Sequence, residues 1–241
     1  MRFAIRKVHV LILASLVLLL SACGGSTPEE KIAQETPYAD QLETIQKAVN
    51  AYQENTNGLL PIKTKDMETD SYIKYPIEFS KIAPAYTAKI PENAYEVGGI
   101  YQYVLWDVEE NPTVKLVDLR SAERIRELNL RKHINGRAPF KEEIGKHVYT
   151  VDFKEMGFKE PLTVPSPYSD AILPIVIAGD GKYYIDYSID LNKVLQEQQP
   201  DVKEGEDIRY LLADHFPILP AYSLPYTVND QNEPIFMMNA K

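Results

Sequence analysis

Apolar residues at helical spacing mark the first folded element of the chain. They recur at intervals of three and four, on one face of an amphipathic helix: Leu42, Ile45, Val49 and Tyr52. Asp40 is placed to cap this helix, with Glu43 three residues later in the reciprocal position. Asn57-Gly58 supplies the left-handed stop, and Pro61 prevents the helix from continuing. The pattern therefore predicts one helix between Asp40 and Asn57.

The residues after this helix have the composition and the shorter period of β-strands. Residues 72–79 predict a strand at a sheet edge, because Pro76 cannot donate a hydrogen bond to a neighbouring strand. Residues 100–108 and 113–119 flank the turn-forming Glu-Glu-Asn-Pro stretch at 109–112. This arrangement predicts a β-hairpin.

A similar order of elements follows. A second helix is predicted from a cap at Ser121 to about Ile134, and it stops at Asn135-Gly136, 78 residues after the first Asn-Gly stop. A strand at 149–153 comes next. A second hairpin is then predicted from the runs 172–177 and 182–189, which are joined by an Asp-Gly turn.

The order of elements predicts an α+β fold made of two similar units, each with a helix on a mostly antiparallel sheet. The units are 38–119 and 120–241, the second with a C-terminal extension that contains a helix near 208–215 and a strand at 222–228. Asn-Gly and Pro are common at helix ends, so two matching stops can also arise by chance. The repeated order is therefore explained either by a duplication or by a chance similarity of the helix ends.

Residues 1–22 have the layout of an export signal. Three basic residues precede the uncharged apolar run 10–20, which is shorter than the roughly 20 residues of a membrane span. The next residues, Leu20-Ser21-Ala22-Cys23, resemble the lipobox of bacterial lipoproteins. The resemblance implies cleavage between Ala22 and Cys23, with a diacylglycerol on the Cys23 sulfur. Cys23 is then the site of lipid attachment, and the protein is held on the extracytoplasmic face of the cell membrane.

An ordinary cleaved signal or an N-terminal membrane helix is the alternative interpretation of this segment. The single cysteine of the chain stands at the one position that the lipobox requires, which favours the lipobox. Two acyl chains hold a protein firmly, whereas one does so only marginally. Residues 23–37 are poor in apolar residues, and this composition predicts a flexible, extended tether between lipid and folded domain.

The charge of the mature chain argues against nucleic acid as a partner. Removing the three basic residues of the signal from the 26 in the chain leaves 23 against 35 acidic residues, a formal charge of −12. An acidic surface repels nucleic acid and anionic wall polymers alike. With its Cys-Gly-Gly-Ser start at 23–26 and a Lys-rich remainder that lacks cysteine, the mature part also resembles surface lipoproteins of the Bacillus type, a class without an agreed activity.

The sequence offers neither a catalytic centre nor a metal site. His133, His147 and His215 lack the spacing of zinc ligands, and the acidic runs lack the pattern of a calcium loop. Serine-hydrolase and phosphate-loop motifs are missing from the sequence. We therefore expect no cofactor, no metal and no enzymatic activity, although carboxylates that are distant in sequence can still form a catalytic pair.

The preferred interpretation is a non-catalytic binding or assembly factor that contacts an envelope protein or polymer at the membrane–wall interface. The Tyr- and Pro-rich stretches 161–174 and 216–226 are its candidate contact surfaces, unless their aromatic rings belong to the core. A solute-binding lipoprotein of an ABC-type transporter is the alternative. An envelope hydrolase without a local motif is the least favoured.

Overall fold

The computed structural model describes residues 28–63 and 65–237, with side chains described from residue 38 onward. The predicted signal peptide 1–22 and the predicted lipid-attachment residue Cys23 lie outside the described residues. The chain divides into two compact units, 1–43 and 44–241. In the described residues the helices are α1 Pro28–Asn55, α2 Phe79–Ile82, α3 Leu119–Asn135, α4 Ser188–Gln198 and α5 Tyr210–His215. The strands there are β1 Tyr101–Trp106, β2 Thr113–Asp118, β3 Phe140–Gly145, β4 Val148–Val151, β5 Thr163–Pro165, β6 Ile172–Ala178, β7 Tyr183–Ile185, β8 Tyr226–Val228 and β9 Pro234–Phe236.

Helix α1 begins earlier than its predicted cap. Residues 28–37, predicted to be part of an extended tether, are helical, and Asp40 lies inside the helix and not at its start. Proline is well suited to the first position of a helix, and the Glu, Lys, Gln and Ala residues that follow Pro28 have high helix propensity. The predicted end is confirmed, since Asn57 and Gly58 have φ values of 56° and 91° and the Gly58 N–H bonds the Gln53 carbonyl.

The hairpin β1–β2 is confirmed. Its antiparallel register pairs Tyr101 with Asp118 and Trp106 with Thr113. The Gln46 side chain of α1 ties down the turn, because its Nε2 donates to the Pro112 carbonyl at 3.0 Å and its Oε1 accepts from the Val114 N–H at 2.7 Å. The contact fixes the turn end of the hairpin against the helix.

The predicted edge strand at 72–79 is wrong for most of its length. Ser71–Ile73 form a 3₁₀ helix, and α2 begins at Phe79. The Asp70 carboxylate accepts the Tyr72 N–H at 2.9 Å, and this local bond closes a turn in place of strand pairing. Only Pro76 and Ile77 pair in the manner of a strand.

Helix α3 packs beside a five-stranded antiparallel sheet in the order β3-β4-β6-β5, with β7 paired to β6. Asp118 caps this helix by accepting the Arg120 N–H, so the predicted cap Ser121 is wrong. Ser121 is buried instead. The predicted stop is confirmed by Gly136, which has a φ of 73°. Leu128, Leu173, Ile177, Ile185 and Leu191 are fully buried in the core of this region.

In both halves of the chain, the residues that follow the helix pair antiparallel with the next extended segment, and that segment pairs with a later strand. In the first half Ile62 pairs with Ile77, and Pro76 pairs with Val104 of β1. The equivalent pairs in the second half are Phe140 with Val151 and Thr150 with Val176 of β6. The sheets differ in size, two strands in β1–β2 against five, so the duplication is not confirmed and stays a prediction. The α+β fold class is confirmed.

The C-terminal residues close the fold differently from the predicted pattern. The strand expected at 222–228 is only Tyr226–Val228, and it pairs with β9, which the sequence pattern did not reveal. Part of the stretch 216–226 belongs to the core, since Leu219, Ala221 and Tyr226 are buried. These three side chains are already removed from water, and the stretch as a contact surface stays a prediction for its exposed and half-buried residues.

Candidate binding groove

A groove of about 520 Å³ lies at the turn end of hairpin β1–β2. This volume is within the range of small-molecule and side-chain sites in proteins. The hairpin, the 3₁₀ helix at 71–73 and helix α5 form its walls. The lining residues are Ser71, Lys74, Tyr75, Leu105, Trp106, Asp107, Val108, Glu109, Glu110, Tyr210 and Asp214.

The aromatic part of the groove is backed by a stack of rings. Trp106, the single tryptophan of the chain, is half-buried and stacks on Tyr72 with ring centroids 4.8 Å apart and planes 15° apart. The guanidinium carbon of Arg209 lies 4.9 Å from the Tyr72 ring centroid. Burial of Tyr72 raises its pKa, so the ring stays neutral at physiological pH. Trp106 is thus held in place by contacts that extend into the fold.

Arg209 is the polar centre of this support. It forms ion pairs with two acidic residues that are far apart in sequence. Its Nη2 is 2.8 Å from Asp207 Oδ2, and its Nη1 is 3.3 Å from Asp70 Oδ2. Nη1 also donates to the Ser223 carbonyl at 3.1 Å. Burial lowers the pKa of Arg209, but the hydrogen bond and charge of Asp207 outweigh burial and leave the pKa raised. The arginine remains charged and joins the 70–72 segment to the C-terminal region.

The rim of the groove is acidic. Asp107, Glu109, Glu110 and Asp214 all have exposed side chains. Lys74 is the one basic residue among the lining residues, and its Nζ lies 5.6 Å from the Tyr75 ring centroid. The formal charge of the lining is therefore −3. A site of this kind favours a ligand with positive charge.

The turn that carries three of these acids has a defined shape. Asp107 has a φ of 52°, a left-handed conformation that Asp tolerates better than most residues. The Asn111 N–H bonds the Asp107 carbonyl at 3.0 Å. With the Gln46 contacts on the other side, the backbone of the turn is ordered before any ligand arrives, which lowers the entropic cost of binding.

A second groove, of about 390 Å³, lies between α3 and β5. Both of its cations are already paired: Arg120 Nη2 lies 2.5 Å from Asp118 Oδ2, and Arg124 Nη1 lies 3.3 Å from Glu127 Oε2. With two arginines and two glutamates, the lining has no net formal charge and offers little to a charged ligand. It is therefore the weaker of the two candidates.

A buried carboxylate holds part of the stretch 161–174 in place. Asp190, only 2% exposed, accepts hydrogen bonds from Ser166 Oγ at 2.8 Å and from Ser169 Oγ at 2.6 Å. Burial raises its pKa, although these serine bonds oppose the rise. Tyr168, between the two serines, packs against Phe216 with ring centroids 4.9 Å apart. This part of the stretch is a latch onto α4 and not a free contact surface.

The predicted site residues Ala22 and Cys23 lie outside the described residues. The three histidines outside the signal segment lie in separate elements. His133 is in the last turn of α3, His147 is in the β3–β4 turn and His215 ends α5. Within 28–63 and 65–237, no group of three or more His, Cys, Asp or Glu side chains is arranged to hold a metal. None of the helices in these ranges is long and apolar enough to span a membrane.

The groove was not predicted. Its one sequence signal is the placement of the single tryptophan directly before Asp107 and the Glu109-Glu110 pair in a hairpin turn. The contributions of Tyr72, Tyr210 and Asp214 come from elements distant in sequence. Periodicity does not show that these elements meet.

The comparison with known families matches one part of the chain. Residues 38–118 are similar to the N-terminal domain of the YphF family. The match covers about a third of the chain, from within α1 to the end of β2, and it includes Trp106 and the acidic turn. The chain has no significant match among curated proteins or among solved structures.

Proposed function

We propose that this chain is a lipid-anchored protein of the extracytoplasmic membrane face that binds a partner without catalysing a reaction. The groove at the β1–β2 turn is its contact surface. Cys23 supplies the anchor, and the partner is a component of the envelope. The observation that carries the proposal is an ordered groove with a supported tryptophan and an acidic rim.

The order of Leu20-Ser21-Ala22-Cys23 after a short apolar run supports the anchor. A diacylglyceryl group provides two acyl chains, enough for stable attachment. The helical residues 28–37 would then stand between the lipid and the domain. A helix rises 1.5 Å per residue, so these ten residues span about 15 Å.

The groove has the composition of a binding hot spot. Tryptophan and tyrosine are the residues most enriched where binding energy concentrates, because they bury large areas at a small entropic cost. Trp106, Tyr75 and Tyr210 share the groove with polar groups that can orient a ligand. The support from Tyr72 and Arg209 restricts the motion of the tryptophan before binding.

A solute-binding lipoprotein of an ABC-type transporter fits this fold less well. That fold alternates strands with helices and buries parallel strands between two lobes. Every pairing between the named strands of the described part is antiparallel. Such sheets lack the carboxyl-terminal crevice in which open α/β folds bind ligands.

Photo-crosslinking in the cells that make the protein tests the contact surface. A photoreactive amino acid in place of Ser71, on the groove wall, is expected to give a discrete cross-linked product. The product should disappear when Trp106 is also replaced by alanine. The matched control carries the same photoreactive residue in place of Glu160, which is exposed and does not line the groove. Equal products from both positions, or none from Ser71, would contradict the proposal.

A further inference from the structure

We infer that the groove at the β1–β2 turn binds a basic segment of a partner protein, with an arginine or lysine side chain placed against Trp106. This inference rests on the proposed function and names the chemistry of its partner. The observations behind it are the charge of the rim, the aromatic wall and the openness of the groove.

The acids of the hairpin turn have no ion-pair partner. In the described part of the chain, Asp107, Glu109 and Glu110 form no ion pair, whereas Asp214 interacts electrostatically with Lys115, and exposed acids elsewhere, such as Glu92 and Asp180, pair with a neighbouring lysine. Three of the four carboxylates follow one another within a single turn, where like charges repel. A cation from outside would relieve this repulsion.

The aromatic residues suit the same ligand. A guanidinium or ammonium group is attracted to the face of an aromatic ring, and tryptophan is the strongest ring for this contact. The fold already uses the interaction twice nearby, with Arg209 at 4.9 Å from the Tyr72 centroid and Lys74 at 5.6 Å from the Tyr75 centroid. Trp106 has no such cation in the described residues.

The shape favours a segment of a larger partner over a small solute. Most rim side chains are exposed, so the groove is an open trough and not an enclosed cavity. A volume of about 520 Å³ holds one or two long side chains. A neutral glycan would stack on the tryptophan, but it would leave the three carboxylates of the turn without a partner of opposite charge.

The single tryptophan makes the test direct. The mature lipidated protein, in uncharged detergent micelles, is titrated with the peptide acetyl-Gly-Arg-Gly-Arg-Gly-amide while the emission of Trp106 is followed. A saturable change is expected, and the same peptide with citrulline in place of arginine should give none. Raising the salt from about 0.1 M to about 1 M, which shortens the Debye length from about 10 Å to about 3 Å, should weaken binding.

Charge variants locate the binding site. Replacing Glu109 and Glu110 together by glutamine should raise the dissociation constant of the peptide about fivefold, which is the effect of losing two exposed ion pairs. The matched control replaces Glu142 and Glu160, which are exposed and outside the groove, and should leave the dissociation constant unchanged.

Other outcomes overturn the inference. Equal responses to the arginine and citrulline peptides, or an unchanged affinity of the Glu109/Glu110 variant, would show that charge does not select the partner. Free arginine amide binding as tightly as the peptide would point to a small solute. A neutral N-acetylglucosamine oligomer is a competing ligand for the groove. If it shifts Trp106 emission equally in the Glu109/Glu110 variant and in the Glu142/Glu160 control, the basic partner is refuted and the groove remains a contact surface. If the peptide leaves Trp106 emission unchanged and no cross-linked product forms from position 71, both proposals are refuted.

Discussion

Replacing Arg209 by methionine is expected to destabilise the fold by about 2 to 3 kcal/mol. Removing one partner of a buried ion pair costs roughly 3 to 5 kcal/mol, because the remaining charge stays in a poorly hydrated place. The Arg209 side chain is 11% exposed, but Asp207 and Asp70 are 33% and 28% exposed. Partial hydration of these carboxylates reduces the cost below the buried limit. Methionine keeps much of the apolar stem, so the loss reports mainly on the guanidinium.

Urea unfolding followed by circular dichroism and by Trp106 emission measures this loss. In a protein of this size each kcal/mol lowers the melting temperature by about 2 to 4 °C, so a fall of about 5 to 10 °C should accompany it. Arg124→Met is the matched control, because Arg124 forms an exposed pair with Glu127 whose expected contribution is below about 1 kcal/mol. Arg209→Lys should recover only part of the stability, since an ammonium cannot bond Asp207 with two parallel nitrogens.

A double-mutant cycle with Asp207→Asn separates the pair from the rest of the network. A coupling energy of about 1 to 2 kcal/mol is expected for side chains in direct contact. A loss below about 1 kcal/mol for Arg209→Met, no larger than that of the Arg124 variant, would refute this interpretation of the network. That result would mean that the ion pairs of Arg209 with Asp70 and Asp207 are as hydrated as an exposed pair.

Three further predictions concern the core, the latch and metal. Tyr226→Phe should cost about 2 to 3 kcal/mol in urea unfolding, because the buried hydroxyl donates to Asp186 at 2.8 Å and accepts from the Tyr187 N–H at 3.0 Å; Tyr95→Phe, at a 62% exposed site, should cost nothing measurable. The folded-state pKa of Asp190 is raised, so its ionisation opposes folding. The stability advantage of the wild type over Asp190→Asn should therefore be greatest below the ordinary pKa of 3.8 and shrink as the pH rises through the folded-state pKa. A difference in stability that does not change with pH would exclude this role. EDTA should leave the melting temperature unchanged, whereas a structural metal at 100 times its dissociation constant would contribute about 2.7 kcal/mol.

Local signals predicted the elements whose structure is decided locally. The hairpin β1–β2 and the turn at Asp180-Gly181 follow from alternating strands around turn residues, and Gly181 has the expected positive φ of 77°. The Asn-Gly helix stops were confirmed for the same reason, because a left-handed residue ends a helix in any context. The α+β class follows from the order of these elements.

Contacts between distant residues account for most of what the sequence did not show. Strand β3 has almost no buried side chain, so its sequence lacks the alternation that marks a strand. The stretch 72–79 predicts a strand because it contains Tyr72, Tyr75 and Phe79, although Asp70 closes a helical turn at its start. The groove depends on Tyr72, Trp106 and Arg209, which three separate elements bring together, and no local pattern encodes that meeting.

The mass of the protein extracted from membranes tests most directly whether this domain is displayed on a lipid anchor. We expect a chain that begins at Cys23, with a mass increased by a diacylglyceryl group that is lost in the Cys23→Ser variant. The same variant should no longer be labelled by fatty acid and should be recovered uncut or outside the membrane fraction. A membrane-bound chain of unmodified mass, or normal cleavage and membrane retention of the Cys23→Ser variant, would contradict it.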